Sequence, residues 1–520
     1  MSLDSLAQWL LIGSLVVLFG VLAVRLSVRS GLPSLLIYLA IGLLLGERAL
    51  GVEYDNAVLT EVLGYAALVL ILIEGGLTTR WRGIRASIAP AASLATVGVL
   101  VSVGVVAVAA HVLLRLPWEI ALVVGAVLSS TDAAAVFSVL RRVPLPRRVA
   151  GILEVESGLN DPPVVILVTL LSLRAAGEGP EHGWGTIAAI ALGELAGGLL
   201  LGLVVGWLGG QLLKQVAGSS ATIFAIGVVS VAILAYGLAD VLHASGFAAC
   251  YLAALVLGNL DLPHRASIIG FGTALGWLAQ IGLFVLLGLL ADPFGFGAQV
   301  VPALLLGTVL LLVARPVSVI VSCGPFRLPW REQAFLSWAG LRGAVPVVLA
   351  TVPTVVGAPG LAWLFDLVFV LVLIFTIVQA PTLPWVAKRL GIIADHHQVD
   401  LSVESTTLDE MNADLLEVNV GPGSRLAGVE ITELRLPPKA NVSLVVRGES
   451  TLVPGPTTLI RRGDRLLVVV PSPLRSATEA RIEAVSTGGR LAGWSVPTAP
   501  EAPTEGARRQ WWGMFTRRST

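Results

Sequence analysis

Two short polar stretches in this sequence carry acids and hydroxyls between long apolar flanks. The first contains Thr131 and Asp132, and the second runs from Glu156 to Asp161. A carboxylate at the centre of a bilayer costs about 2.5–3.5 kcal/mol even on the scale derived from membrane insertion, so such acids indicate a function. Hard cations bind oxygen ligands. The residue types therefore predict a cation site inside a membrane.

The spacing in the second stretch suits a helix. Ser157 and Asp161 stand four residues apart, as do Glu156 and Asn160, so a helix would place all four on one side. The two prolines that begin at Pro162 have no N–H, which frees two backbone carbonyls if the helix continues through them. In the alternative, Asp161 caps a helix that begins at Pro162. Such a cap is compatible with ion binding.

The composition excludes a soluble globular protein. Of 520 residues, 55% are hydrophobic and 13% charged, with a mean hydropathy of +0.86, as in a polytopic membrane protein. The formal net charge is zero, so nothing indicates nucleic-acid binding. Cys250 and Cys323 lie in apolar segments, which argues against a disulfide framework or a thiolate metal site. The six histidines lack metal-binding spacing.

Windows of about 20 apolar residues predict thirteen membrane spans. They cover residues 6–28, 32–50, 58–77, 88–114, 118–140, 148–173, 184–213, 221–242, 246–259, 269–291, 299–322, 333–356 and 363–387.

Basic residues predict the orientation of these spans. With the N-terminus outside and the C-terminus in the cytoplasm, fifteen basic residues fall in cytoplasmic loops and three in outer loops, as the positive-inside rule requires. The cytoplasmic set is Arg25, Arg29, Arg80, Arg82, Arg85, Arg141, Arg142, Arg147, Arg148, Lys214, Arg265, Arg327, Arg331, Lys388 and Arg389. The outer set is Arg48, Arg115 and Arg174. We therefore expect a multi-pass protein of the cell membrane.

Two arginines, Arg315 and Arg342, fall inside spans rather than loops. Arg342 lies in a Gly- and Pro-rich interruption of span twelve, and Thr131-Asp132 interrupts span five. These spans correspond if two inverted repeats of six flank a seventh helix. Paired broken helices of this kind predict a midplane site whose helix dipoles are balanced by charged side chains. Alternatively, Gly340 and Gly343 only permit close helix packing, which does not explain an arginine.

The polarity changes after residue 390. Residues 391–411 read as a linker, residues 412–485 as a small cytoplasmic α+β domain, and residues 486–520, rich in Pro, Ala, Thr, Glu and Arg, as a disordered tail. Alternating apolar residues predict strands at 415–420, 442–447 and 465–470.

Together these motifs resemble a known family. Thr131-Asp132, the residues 156–161 and the residues 340–346 are similar to the signature motifs of monovalent cation/proton antiporters related to sodium/proton exchangers, over about residues 5–390. The longer strings at 129–137 and 160–162 resemble more closely the potassium/proton branch involved in cell-volume regulation. Ala133 stands where the wider family often has proline, which weakens a sodium assignment.

The resemblance implies a role for each motif residue. Asp161 would hold the cation and a proton alternately, and Asp132, Ser157 and the backbone at Thr131 would complete the shell around K⁺ or Na⁺. Glu74 would line the approach to the site. No resident cofactor is implied.

The resemblance also implies an ion pair between Glu156 and Arg342 that holds the two repeats together. Asn160 stands where electrogenic relatives carry a second aspartate. Burial favours a protonated carboxylate and a bound cation favours the ionised form, so each ligand expels the other. If Glu156 is permanently neutralised, one proton is exchanged for one cation, and we expect electroneutral exchange.

Residues 408–485 resemble the C-terminal half of the regulator-of-potassium-conductance module, as in TrkA-C domains. No Gly-rich half precedes them, so an NAD-type Rossmann site is not expected. A cyclic dinucleotide or adenine nucleotide is the expected ligand by analogy, and the family implies a homodimer.

Other classes of function remain as alternatives. A ligand-gated channel or sensor needs a filter or a repeated ring of pore residues, and the sequence contains no such filter. An intramembrane hydrolase built on Ser157 would need a histidine base in a neighbouring span, and His111 and His243 fall at span ends. We therefore expect a transporter rather than an enzyme. The sequence leaves Na⁺ open as an alternative to K⁺.

Overall fold

The structure is a computed structural model. It describes residues 3–30, 33–46, 51–52, 54, 56–132, 145–177, 183–216, 220–392, 405–408, 413–421, 424–448, 450–471, 474–489 and 492. The chain divides into two compact units, Met1–Ile393 and Ala394–Thr520. The second half of predicted span five, most of the predicted linker and most of the predicted tail lie outside the described residues. Residues 405–408 of that linker form a strand paired in the sheet of the second unit, and residues 486–488 of that tail end a helix, so both predicted boundaries are wrong there.

Among the described residues of the first unit, the regular secondary structure is helical apart from one isolated bridge. Its helices are α1 Leu3–Ser30, α2 Ser34–Leu45, α3 Ala57–Thr78, α4 Trp81–Ile84, α5 Ile88–Leu114, α6 Trp118–Ser129, α7 Arg147–Ala175, α8 Trp184–Val216, α9 Ala221–Val241, α10 Gly246–Asn259, α11 Arg265–Leu290, α12 Phe296–Phe326, α13 Trp330–Ala339, α14 Ala344–Leu349, α15 Val352–Val355 and α16 Leu364–Arg389.

A helix or helix pair lies in each of the thirteen predicted windows. Among the described residues, seven helices are long and apolar enough to cross a membrane, and the pair Trp330–Ala339 with Ala344–Val355, bent by 49°, makes an eighth. The number of crossings therefore stays a prediction. Large apolar side chains face outwards, with Leu192 67%, Ile223 71% and Val241 75% exposed. This surface suits contact with lipid rather than water.

The helices of this unit form two groups. Helices α1–α3 and α8–α11 pack mainly on one another, and α5–α7 pack mainly with α12–α16. Within the first group, glycines bring backbones into direct contact. A Cβ on Gly42 would lie 2.2 Å from the carbonyl oxygen of Val285, and one on Gly202 would lie 2.4 Å from that of Ala249.

The two helix groups also contact each other, and these contacts involve side chains. A Cβ on Gly64 of α3 would lie 2.9 Å from a side-chain carbon of Val348 on α14. Helix α7 belongs to the second group but also contacts α3, α8 and α10 of the first. It therefore lies along the boundary between the groups.

Two helices contain a π-helical turn. One spans Leu94–Gly98 in α5 and the other spans Leu310–Ala314 in α12. Such a turn inserts an extra residue and is frequent at functional sites. The turn in α12 ends directly before Arg315.

The second unit contains a five-stranded antiparallel sheet with strand order β1-β2-β5-β3-β4. Its strands are β1 Ser405–Leu408, β2 Ala413–Asn419, β3 Asn441–Arg447, β4 Ser450–Leu452 and β5 Asp464–Pro471, followed by α17 Arg475–Gly488. Alternating residues of β2 and β5, among them Leu416, Val418 and Val468, are buried in its core. The three predicted strands correspond to β2, β3 and β5.

Candidate functional site

Asp161 lies in the middle of a continuous helix. It stands fourteen residues from each end of α7, and Pro162 and Pro163 lie inside that helix. The alternative in which Asp161 caps a helix beginning at Pro162 is therefore wrong. Because proline has no N–H, the carbonyls of Gly158 and Leu159 lack their usual helical donors. Asp161 itself is only 8% exposed.

The non-helical residues after α6 hold the polar part of α7. Ser130 donates a 2.7 Å hydrogen bond to Oδ1 of Asp161. The amide of Asn160 donates to the hydroxyl of Thr131 at 2.6 Å, and the Thr131 hydroxyl lies 3.3 Å from that of Ser157. The structure therefore brings together four of the predicted residues through side chains that are all buried.

Two interrupted helices meet beside this cluster. Helix α6 ends at Ser129, and α13 ends at Ala339 before α14 begins at Ala344. The backbone N–H of Asp132 donates to the carbonyl of Leu341 at 2.9 Å. The predicted break in span twelve is thus present, and the described part of span five ends as predicted.

The predicted ion pair between Glu156 and Arg342 is wrong, because Glu156 has a different partner. Glu156 pairs instead with Arg315, which donates from both terminal nitrogens to the two carboxylate oxygens at 2.5 and 2.9 Å. This two-point geometry is the one in which a guanidinium best matches a carboxylate. It joins α7 to α12.

Arg342 instead binds helix ends. Its Nε donates to the carbonyl of Leu128 at 3.0 Å, and Nη1 donates to the carbonyl of Gly340 at 2.7 Å. These carbonyls lie at the C-terminal ends of α6 and α13, where the helix dipole is negative. Arg342 is 3% exposed. Its charge therefore balances the ends of both interrupted helices, as expected for broken helices.

Asp161 has no basic partner among the described residues, where its carboxylate accepts a hydrogen bond from Ser130. Asp132 lies within electrostatic reach of Asp161, which adds negative charge beside it. Arg315 is bonded to Glu156, and Arg342 to two backbone carbonyls, so neither neutralises the Asp161 carboxylate. One monovalent cation or one proton would neutralise it. The site is therefore suited to bind either ligand.

Glu74 lies on α3 of the other helix group. Its side chain packs against α11, where a Cβ on Gly276 would lie 1.9 Å from Oε2 of Glu74. The predicted role of Glu74 in lining the approach stays a prediction.

Sequence reasoning missed the roles of Ser130 and Arg315. Arg315 had a signal, since it is an arginine inside an apolar span, but the motif resemblance directed the pairing to Arg342. Ser130 had none beyond its place beside Thr131.

Comparison with known proteins agrees with this geometry. Residues 14–389 match the family model described as sodium/hydrogen exchanger, transmembrane. The chain belongs to the sodium/hydrogen exchanger family. Residues 415–482 of this family member match the TrkA-C domain model. The sequence-based resemblance to both families is confirmed.

Several relatives align over most of this exchanger-family chain. A protein named K(+)/H(+) antiporter NhaP2 from Shewanella oneidensis is 34% identical over 90% of the chain and 82% of its own length. One named K(+)/H(+) antiporter NhaP from Alkalimonas amylolytica is 38% identical over 75% of the chain and 68% of its own. The solved sodium proton antiporter MjNhaP1 from Methanocaldococcus jannaschii has the same fold, with a TM-score of 0.65 at 21% identity, over 74% of this chain and 99% of that one.

Proposed function

We propose that this family member exchanges K⁺ for H⁺ across a cell membrane through alternate binding at Asp161. One observation carries the proposal: Asp161 is a buried carboxylate in the middle of α7, bonded to the Ser130 hydroxyl and to no basic residue among those that the structure describes. A cation or a proton neutralises that carboxylate, and binding of both would leave an excess positive charge in a low-dielectric interior. Competition for one site couples the two ions.

The proposed cation shell consists of Asp161, Asp132, Ser157 and the backbone at Thr131. Ser130 is added to the predicted set, because its hydroxyl contacts Asp161 directly. The carbonyls before Pro162 and Pro163 supply further oxygens that have no helical donor.

The exchange is proposed to be electroneutral. Arg315 neutralises Glu156, so that carboxylate need not carry a proton through the cycle. One proton then moves against one cation. An uncompensated charge would instead feel about 2.3 kcal/mol per 100 mV of membrane potential.

K⁺ is favoured over Na⁺ because the relatives aligned over most of this chain are named K(+)/H(+) antiporters. Na⁺ is the second candidate, supported by a protein from Synechocystis named Na(+)/H(+) antiporter NhaS2, 30% identical over 68% of the chain.

The remaining assignments follow the sequence. We propose a membrane domain at 1–390, a linker that ends before β1, a regulatory domain that runs from β1 to the end of α17 and a tail after it, with the N-terminus outside. A cyclic dinucleotide or adenine nucleotide acting on the TrkA-C-like domain, and a homodimeric assembly, are supported by family resemblance.

Proteoliposomes test the proposal. An outward K⁺ gradient should drive H⁺ uptake by the wild type, and Asp161→Asn should abolish both fluxes, with Glu119→Gln at an exposed position as the matched control. An imposed potential at equal pH should leave wild-type exchange unchanged. Full-speed exchange by Asp161→Asn would overturn the proposed site, and a rate that follows the potential would overturn electroneutrality.

A further inference from the structure

A second acid lies on the same face of α7 as Asp161. Glu154 precedes Asp161 by seven residues, or two helical turns, and at 1.5 Å per residue the two Cα atoms are about 10 Å apart along the axis. Glu154 also follows Arg147, at the start of α7, by seven residues. It therefore lies midway between Asp161 and the Arg147 end of α7. We call the side of the membrane unit at this end the basic face, because two basic residues of the helix, Arg147 and Arg148, lie there.

The partner of Glu154 comes from the other helix group. The hydroxyl of Thr79, directly after α3, hydrogen-bonds Oε1 of Glu154 and also lies 2.7 Å from the carbonyl oxygen of Gly75. Thr79 has one hydroxyl hydrogen for these two acceptors. Both contacts are satisfied when Glu154 carries a proton and donates it to Thr79, which then donates to Gly75. The geometry thus suits a carboxyl group that can hold a proton.

A tyrosine lies between the two acids. The ring of Tyr251 from α10 packs over Gly158, where an added Cβ would lie 2.5 Å from the ring and 2.7 Å from its hydroxyl. Gly158 stands between Glu154 and Asp161 on α7. The Tyr251 hydroxyl is buried and lies within reach of the Thr79 hydroxyl and of Glu154. It places a further neutral oxygen between the two acids.

The backbone at Thr79 is held in place. The amide of Asn259, at the end of α10, donates to the Thr79 carbonyl at 2.9 Å, and its oxygen accepts from the N–H of Trp81 at 2.8 Å. Thr79 and Tyr251 therefore belong to one packed group of helices, whereas Glu154 and Asp161 belong to the other.

We propose that Glu154, with the hydroxyls of Thr79 and Tyr251, forms a relay site that accepts an alkali cation or a proton from the basic face and passes it to Asp161. The proposal rests on exchange at Asp161. Glu154 supplies the charge, and the two hydroxyls supply neutral oxygen ligands. The relay serves only one side of the membrane, because all three residues lie between Asp161 and the basic face.

The test compares the two faces in full-length protein. K⁺-driven H⁺ transport is measured in vesicles of each orientation for the wild type, Glu154→Gln and Tyr251→Phe, with Glu119→Gln as the exposed control. Glu154→Gln keeps the size of the side chain and its ability to bond with Thr79. We expect it to raise the K⁺ concentration for half-maximal exchange about tenfold at the basic face and to leave the opposite face unchanged. Tyr251→Phe should have the same one-sided effect, about threefold.

The outcomes separate this proposal from the one it rests on. Equal changes at both faces, or wild-type behaviour at both faces, would overturn the relay and leave exchange at Asp161 intact. If Glu154 only stabilised the fold, Glu154→Gln would lower the melting temperature and would lower the maximal rate at both faces, and the relay would be overturned. Retained exchange in Asp161→Asn would instead overturn the underlying function, whatever Glu154→Gln does.

Discussion

Two buried arginines in this protein bind different kinds of negatively charged group. Arg315 meets the full charge of Glu156 at two points, whereas Arg342 meets the partial charges of the carbonyls of Leu128 and Gly340. Removing one member of a buried pair leaves the other charge uncompensated, at a cost of about 3–5 kcal/mol. The two arginines should therefore respond differently when Glu156 is neutralised.

A double-mutant cycle tests this difference. Arg315→Gln should destabilise the purified protein by about 3–5 kcal/mol, and adding Glu156→Gln should recover most of the loss because no charge is then left unpaired. Arg342→Gln combined with Glu156→Gln should show a much weaker coupling, because no hydrogen bond joins those two side chains. Unfolding midpoints in detergent measure both couplings. Strong coupling of Glu156 to Arg342 but not to Arg315 would contradict the pairing described above.

At this scale the sequence predicted which residue types meet but not which arginine takes which partner. Acids and arginines inside apolar spans are costly, so their presence signals a site. The partner of Glu156 depends on the rotation of α12 about its axis, and that rotation is changed by the π-helical turn Leu310–Ala314. No propensity of its residues, Leu-Leu-Leu-Val-Ala, signals that turn.

The crossing of the interrupted helices depends on a glycine. A Cβ on Gly343 would lie 1.6 Å from Oδ2 of Asp132, so any larger residue must displace that carboxylate. The φ of Gly343 is −123°, so this position does not call for glycine through a left-handed backbone. The requirement for glycine is steric.

Substitution of this glycine should therefore impair exchange. We expect Gly343→Ala to lower K⁺/H⁺ exchange at least tenfold, because Asp132 moves away from Asp161. Gly104→Ala on α5 is the control, since its Cβ would meet nothing within 4 Å. Exchange rates in proteoliposomes at matched protein content give the comparison. Wild-type rates for Gly343→Ala would show that the position of Asp132 is unimportant.

Most elements followed from periodicity, and the exceptions are two short strands that depend on tertiary pairing. The helices and three strands are long enough for their apolar patterns to show. Strands β1 and β4 have only four and three residues and carry little pattern. They form by pairing with β2 and β3, a tertiary effect that a local pattern does not contain.

The C-terminal unit has an ionic contact of its own. Asp464 accepts bonds from Arg447 at 2.8 and 2.7 Å and from the backbone N–H of Arg461 at 2.8 Å. Burial alone would raise the pKa of Asp464, but these hydrogen bonds and the charges of both arginines outweigh it and hold the pKa below its ordinary value. This contact stabilises the fold above the ordinary aspartate pKa of about 3.9 and is lost as the pH falls through the lowered value.

Asp464→Asn should therefore destabilise this unit at neutral pH by about 2 kcal/mol, the size of a hydrogen bond to a charged group. The difference from wild type should vanish in acid, where Asp464 is protonated. Hydrogen exchange of the β5 amides in the full-length protein measures both effects. The partly exposed pair of Arg465 and Glu417, at 3.1 Å, is the control, and Glu417→Gln should cost less than about 1 kcal/mol. A difference that persists in acid would contradict this account.

The contrast between backbone and side-chain contacts in the membrane unit has a mechanical consequence. At Gly42 and Gly202 backbone contacts backbone, so no side chain lies between the helices that could change its rotamer. The first helix group must therefore move as one rigid body. The side-chain contacts at Gly64 can rearrange through rotamer changes, and small sliding of packed helices is a common form of protein motion. The boundary along α7 is therefore where the two helix groups can slide past each other, and both Glu154 and Asp161 lie on that helix.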